Sequence, residues 1–194
     1  GELPQHVWLE RRLDMRTGTL RQRVGREGEL DVLLFTSLAR PGTTVLRARG
    51  RPEQLESTRP LTAARAEIDE GSVDGVEWVR EPAGEGGVVV AAHDEGGDGV
   101  LDRVASYVVG SSSVPDPEDA LDRVTAARRV GFDGLLAAHR RSWAERWRTA
   151  DIVIDGDDEL QRLVRFSMFH LISSVADRGE AAVGARGLTG PAYR

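Results

Sequence analysis

Residues 6–15 alternate between apolar and charged side chains, the pattern of a β-strand with one buried face. The apolar face carries Val7, Leu9, Leu13 and Met15, and the charged face carries Glu10, Arg12 and Asp14. Further strands are predicted over 20–24, 29–38, 43–49, 60–68, 73–79, 88–93 and 100–109, with turn-forming Gly, Pro and Asp residues at the breaks. Seven or eight strands at this spacing, with no helical period between them, predict an antiparallel β-sandwich over residues 1–113.

After the three serines at 111–113 the apolar positions follow a helical period instead. Asp116 and Pro117 are typical of a helix start, and the helix is expected to reach Val130. A second helix over 133–149 places one stripe on a single face, made of Leu136, His139, Trp143 and Trp147. A third helix over 157–176 is apolar on more than one face, which predicts a place inside a larger helical assembly than this chain supplies.

The composition excludes several kinds of site and partner. The chain has 194 residues, of which 40% are apolar, so it can bury a core. All 26 basic residues are arginine and the net charge is −6, without a segment basic enough to follow a nucleic-acid backbone. The absence of cysteine excludes disulfides, zinc–thiolate sites and thiol catalysis. Because neither a membrane-spanning run nor a signal peptide is visible, we expect a cytoplasmic protein with no membrane or nucleic-acid partner.

Four acidic residues between positions 155 and 159 resemble a divalent-metal cluster, namely Asp155, Asp157, Asp158 and Glu159. Their spacing does not match a calcium-binding loop. Acidic residues at a helix N-terminus are explained by capping and by the helix dipole, and this is the interpretation that we favour. We therefore predict no metal site.

Aromatic and histidine side chains in the helical region offer two further candidates. Trp143 and Trp147 could form a platform for stacking a sugar, but their helical spacing favours packing in a core. His170 is interpreted as a core histidine rather than a catalytic one. The glycines at 184, 187 and 190 mark a loop whose backbone could approach a ligand. On spacing alone, these features specify no reaction.

The C-terminal third contains a series of short motifs, namely RSWAERW at 141–147, DIVIDGD at 151–157, RFSMFHL at 165–171 and ARGLTG followed by Tyr193-Arg194 at 185–194. In this order and spacing, the motifs are similar to those of glycoside hydrolase family 65. Residues 12–20 and 36–41 also resemble strands of that family's N-terminal domain. The family contains maltose, trehalose and kojibiose phosphorylases and acid trehalases.

The resemblance implies a domain organisation. Residues 1–113 would be the β-sandwich, residues 114–150 a helical linker, and residues 151–194 the first helix of an (α/α)6 barrel that holds the active site. The overall expectation is therefore a mixed fold in which an antiparallel β-sandwich precedes α-helices.

The resemblance also implies a reaction, the inverting phosphorolysis of an α-glucosidic disaccharide to β-glucose 1-phosphate. The general-acid glutamate of the family lies beyond the segment that resembles residues 185–194, so no catalytic residue is assigned to this chain and the chain alone is expected to be inactive. Tyr193 and Arg194 adjoin the family's sugar-binding motif and are the predicted substrate-binding residues.

Several properties follow from the same resemblance. We expect no metal or organic cofactor, inorganic phosphate as co-substrate, a disaccharide substrate, the remainder of the barrel as a partner, and a homodimer. Two alternatives stay open: a hydrolase of the same family that uses water, and a non-catalytic β-sandwich module for sugar binding or assembly.

Overall fold

A computed structural model describes residues 8–25, 29–51, 55 and 69–175 of the chain. These residues fall into two compact units, the first ending at Trp143 and the second beginning at Ala144. Among the helices of the described residues, none combines the length and the apolar character needed to cross a membrane.

The first unit is built on one antiparallel β-sheet of eight strands in the order β1-β2-β3-β4-β8-β7-β6-β5. The strands are β1 Trp8–Asp14, β2 Thr19–Gly25, β3 Leu30–Thr36, β4 Thr43–Arg49, β5 Asp69–Val73, β6 Val76–Ala83, β7 Gly86–Gly97 and β8 Val100–Gly110. Consecutive strands pair within β1–β4 and within β5–β8, and β4 pairs with β8, with Val45 opposite Val104. This pairing connects two four-stranded meanders into one sheet.

The predicted strands are confirmed at most positions, and the differences have local causes. The segment 73–79 is not a single strand, because Asp74 and Gly75 both adopt positive φ angles of 51° and 74°. Two such residues make the tight turn that joins β5 to β6. The strand predicted over 60–68 lies outside the described residues. The antiparallel arrangement is confirmed, and the eight described strands join a single sheet, so the sandwich stays a prediction.

Two helices follow the sheet, α1 from Pro117 to Ala150 and α2 from Asp158 to Ser173. Helix α1 is interrupted at Gly131, whose φ of 72° and ψ of 165° fall in a region that only glycine adopts readily. The two helices predicted over 116–130 and 133–149 are therefore the two segments of α1. The predicted cap is also present, since Asp116 accepts a hydrogen bond from the Glu118 N–H at 3.0 Å.

One face of the sheet packs against α1, and this contact forms the core of the first unit. A cluster beside the second segment of α1 contains Phe35, Val45, Val104, Ala127, Phe132, Leu135 and Leu136. A second cluster, beside the first segment, contains Val76, Val89, Ala91, Ala120 and Val124. Because side chains alternate along each strand, the residues between these core positions point to the opposite face.

Candidate functional site

The predicted substrate-binding residues Tyr193 and Arg194 lie outside the described residues, as does the loop with glycines at 184, 187 and 190. Their assignment stays a prediction. The described residues offer three other kinds of candidate: acidic residues, aromatic and histidine side chains, and a cleft lined by arginines.

Three of the four acidic residues at 155–159 lie at the N-terminus of α2. One carboxylate oxygen of Asp157 accepts hydrogen bonds from the Glu159 N–H at 3.1 Å and the Leu160 N–H at 2.9 Å. Asp158 and Glu159 occupy the first turn, where the helix dipole favours negative charge. The capping interpretation is thus confirmed for Asp157. Within the ranges that the structure describes, no group of three or more His, Asp or Glu side chains could hold a metal ion.

The two tryptophans are buried, whereas His170 is exposed. Trp143 and Trp147 are 4% and 9% exposed, which confirms core packing and argues against a stacking platform open to solvent. The core interpretation of His170 is wrong for this chain, since the residue is exposed on α2. Its ring contacts Phe166 and Phe169, with centroid distances of 4.5 and 5.5 Å. A helical period identifies a face, but it does not reveal whether that face is covered.

Among the histidines that the structure describes, His139 is the buried one, with 1% of its surface exposed. The Leu38 N–H donates to its Nδ1 at 3.1 Å, so the ring proton is on Nε2, which donates to the Gly18 carbonyl at 3.2 Å. The ring also stacks on Phe35 at a centroid distance of 4.6 Å. One neutral imidazole therefore connects α1 to the β1–β2 turn and to the end of β3. Its role here is structural.

Burial lowers the pKa of His139, and the nearby charge of Arg140 lowers it further. The unfolded chain takes up a proton near the ordinary value of 6.5, whereas the folded chain resists it. The folded state thus binds fewer protons, and its stability falls as the pH drops below about 6.5.

We predict that lowering the pH from 7.5 to 5.5 removes up to about 1.4 kcal/mol from the free energy of unfolding through this residue. Urea titrations at several pH values, compared with His139→Phe, isolate that contribution, because the variant cannot take up the proton. Parallel pH profiles for the two proteins would contradict the prediction.

The described surface of the first unit contains a cleft of about 380 Å³ between strands β1–β4 and the second segment of α1. We call it the arginine cleft, because its charged lining consists of Arg12, Arg21, Arg47, Arg49 and Arg140 together with Asp14, Asp31 and Asp133. Its apolar lining is formed by Leu33, Phe132 and Leu136. The sequence shows arginines at alternate positions of β2 and β4, but a period of two cannot tell which strands bring them together.

Two of the five arginines are held by carboxylates. Arg21 donates to both carboxylate oxygens of Asp31, and this contact lowers the pKa of Asp31. Arg47 donates to Asp102 at 2.6 and 2.7 Å and to Asp133 at 3.2 Å. These two guanidinium groups are therefore fixed in position and largely neutralised.

Comparison with known proteins gives relatives among carbohydrate-active enzymes, while no family model matches the chain. It is 38% identical over 96 residues to an uncharacterised glycosyl hydrolase of Mycobacterium leprae, covering 47% of this chain and 12% of that protein. It is 36% identical over 74 residues to an α,α-trehalose phosphorylase of Thermoanaerobacter brockii, covering 38% and 10%. It is 40% identical over 94 residues to a kojibiose hydrolase of Mucilaginibacter mallensis, covering 45% and 14%.

A solved structure provides the corresponding likeness in fold. A putative kojibiose phosphorylase from the human microbiome superimposes with a TM-score of 0.70 at 12% identity, covering 86% of this chain and 27% of that protein. The chain spans only 10–14% of the length of the three sequence relatives above. The chain is thus similar in sequence to glycosyl hydrolases and disaccharide phosphorylases, and in fold to part of a putative kojibiose phosphorylase.

Proposed function

We propose that the chain is the N-terminal part of a family 65-like glycoside phosphorylase that cleaves an α-glucosidic disaccharide of the maltose, trehalose or kojibiose type. The observation that carries this proposal is the 36% identity to a trehalose phosphorylase over 74 residues. The TM-score of 0.70 against a putative kojibiose phosphorylase supports the fold on which it depends.

The proposed organisation assigns residues 1–113 to a β-sandwich, 114–150 to a helical linker and 151–194 to the opening of an (α/α)6 barrel. Helix α2 supports this assignment, because Leu160, Leu163, Phe166 and Leu171 are 43–60% exposed on it. Large apolar side chains clustered on one helix are usually covered by a partner. Further barrel helices would provide that cover.

The proposed reaction is an inverting phosphorolysis. A glutamic acid downstream of this chain donates a proton to the glycosidic oxygen while a phosphate oxygen attacks the anomeric carbon from the opposite face. The C–O bond to the leaving sugar breaks, and β-glucose 1-phosphate and a free sugar are formed. Phosphate is the co-substrate, Tyr193 and Arg194 adjoin the bound glucosyl group, no metal or organic cofactor takes part, and the enzyme is a homodimer.

A hydrolase is the second candidate, favoured by the 40% identity to a kojibiose hydrolase. In that case water replaces phosphate, and a second carboxylate is needed to activate it. A non-catalytic sandwich module for sugar binding or assembly is the candidate from a different class of protein.

The intact mass of the natural protein and a phosphorolysis assay test these candidates together. We expect a mass several-fold above 21.1 kDa and phosphate-dependent release of β-glucose 1-phosphate from maltose, trehalose or kojibiose by the natural protein, with no turnover by residues 1–194 alone. Release of free glucose from these disaccharides at a rate independent of phosphate would establish the hydrolase instead. A natural mass equal to that of this chain would overturn both enzymatic candidates and leave the module.

A further inference from the structure

We propose that the arginine cleft is a binding site for a small phosphate dianion, either inorganic phosphate or a phosphate monoester with a compact apolar group. This inference does not depend on the proposed enzymatic function, because it concerns binding by residues 12–140 of the first unit. It rests on unmatched charge, on the strand register and on the apolar floor of the cleft.

The cleft carries an excess of positive charge. Arg21 and Arg47 are paired as described above, whereas Arg12, Arg49 and Arg140 have neither a salt bridge nor a hydrogen bond to any residue in the described ranges. Asp14 is the one remaining anion of the lining, and it accepts hydrogen bonds from the backbone of the following turn. Arg47 is held by two carboxylates, so the five arginines face four aspartates and a surplus of one positive charge remains, which favours an anion.

The strand register holds the positive charges side by side. Arg12 lies directly opposite Arg21 on β1 and β2, and like charges in this position destabilise a sheet. Arg49 lies opposite Asp31 on β4 and β3, but that carboxylate is already held by Arg21. An anion near Arg12 and Arg21 would relieve the repulsion that this pairing imposes, while Arg49 lies on β4, two strands beyond Arg21.

Guanidinium groups suit phosphate because their planar N–H donors match two phosphate oxygens at once. Arg12, Arg49 and Arg140 are exposed, so their donors are accessible to a ligand from solvent. Arg140 projects from α1, opposite the two strand arginines that line the same cleft. Donors supplied by both a sheet and a helix can surround an oxyanion more completely than donors along one strand.

The apolar residues of the cleft are the proposed contact for the apolar group of a phosphate monoester. Phe132 and Leu136 are 7% and 8% exposed, and Arg47 covers the Phe132 ring with its guanidinium carbon 3.9 Å from the centroid. A volume of about 380 Å³ is in the range of small-molecule sites. Leu33 is the apolar residue of the lining that stays partly exposed, and a small apolar group of a phosphate ester would contact it.

The test is a titration of the 194-residue chain with inorganic phosphate and with phenyl phosphate by calorimetry, at pH 7.5 and low salt. At this pH both probes are mainly dianions, since their second pKa lies near 6 to 7. We expect saturable binding of both probes, tighter for phenyl phosphate because of the apolar floor. The double variant Arg12→Gln/Arg49→Gln should weaken binding at least tenfold.

The matched control is Arg11→Gln, which removes an exposed arginine from the adjacent position of β1 on the opposite face of the sheet. It should leave binding unchanged. Equal weakening in the control would show only non-specific attraction and overturn the proposal, as would the absence of saturable binding to the unaltered chain. If the double variant is unstable, amide NMR shifts induced by phosphate in the unaltered chain test the proposal instead. We expect the largest shifts at residues 12, 49 and 140, and shifts centred elsewhere would overturn the proposal.

Discussion

Replacing His139 by alanine should lower the free energy of unfolding of the first unit by about 3–5 kcal/mol. The substitution removes a ring that is 1% exposed and stacked on Phe35, and it leaves a cavity between α1 and the sheet. It also leaves the Leu38 N–H and the Gly18 carbonyl without their hydrogen-bond partner. Urea denaturation followed by circular dichroism measures the loss.

Two further variants separate the causes of that loss. His139→Phe keeps an aromatic ring but removes both hydrogen bonds, so it should cost about 2 kcal/mol, less than alanine. His93→Ala is the matched histidine control, because His93 is only half-buried and makes one ring contact, to the Gly75 carbonyl at 2.7 Å. It should cost less than about 1 kcal/mol. Similar losses for His93→Ala and His139→Ala would contradict the central role of His139.

Replacing Gly18 by alanine should cost about 2–4 kcal/mol, for two reasons that act at one position. The first is the backbone, since Gly18 has a φ of 60°, which disfavours any residue with a Cβ. The second is space, since a Cβ at this position would lie 2.9 Å from Cδ1 of Trp143 and closer still to Nε1 and Cε2. The buried indole would have to move, and with it the part of α1 that carries Trp143.

Gly84→Ala is the control that separates these two reasons. Gly84 has a similar φ of 65°, but nothing lies within 4 Å of the position that its Cβ would take. It should therefore cost about 1 kcal/mol, the backbone contribution alone. Thermal unfolding of both variants, followed by circular dichroism, provides the comparison. If the two substitutions shift the midpoint equally, the packing of Trp143 against Gly18 does not constrain the turn.

Local patterns in the sequence predict most elements of the fold. The period of two predicts β4 at the bounds that the structure shows, because alternation along a strand does not depend on its neighbours. The N-caps at Asp116 and Asp157 are predictable for a similar reason, since each side chain bonds to backbone N–H groups two or three residues ahead. The period of two does not separate β5 from β6, because the turn between them is only two residues long, Asp74 and Gly75.

The candidate sites depended on tertiary structure. His139 occupies a position on an amphipathic stripe that any core residue could hold, and its partners Gly18 and Leu38 are 121 and 101 residues away in the chain. His170 occupies a similar position on α2 and is exposed. Sequence periodicity placed both residues on a helix face but could not distinguish them, because burial is decided by what packs against that face.

The sequence by itself thus determined most of the described strands, the two segments of α1, the capping residues and the resemblance to family 65, all of which depend on residues close together in the chain. Only the tertiary structure decided that β4 pairs with β8, so that Arg47 meets Asp102. It also decided that β1 pairs with β2 in the register that sets Arg12 beside Arg21. Strand pairing brings the charged residues of the arginine cleft together. Their positions in the sequence do not indicate that they lie close to one another.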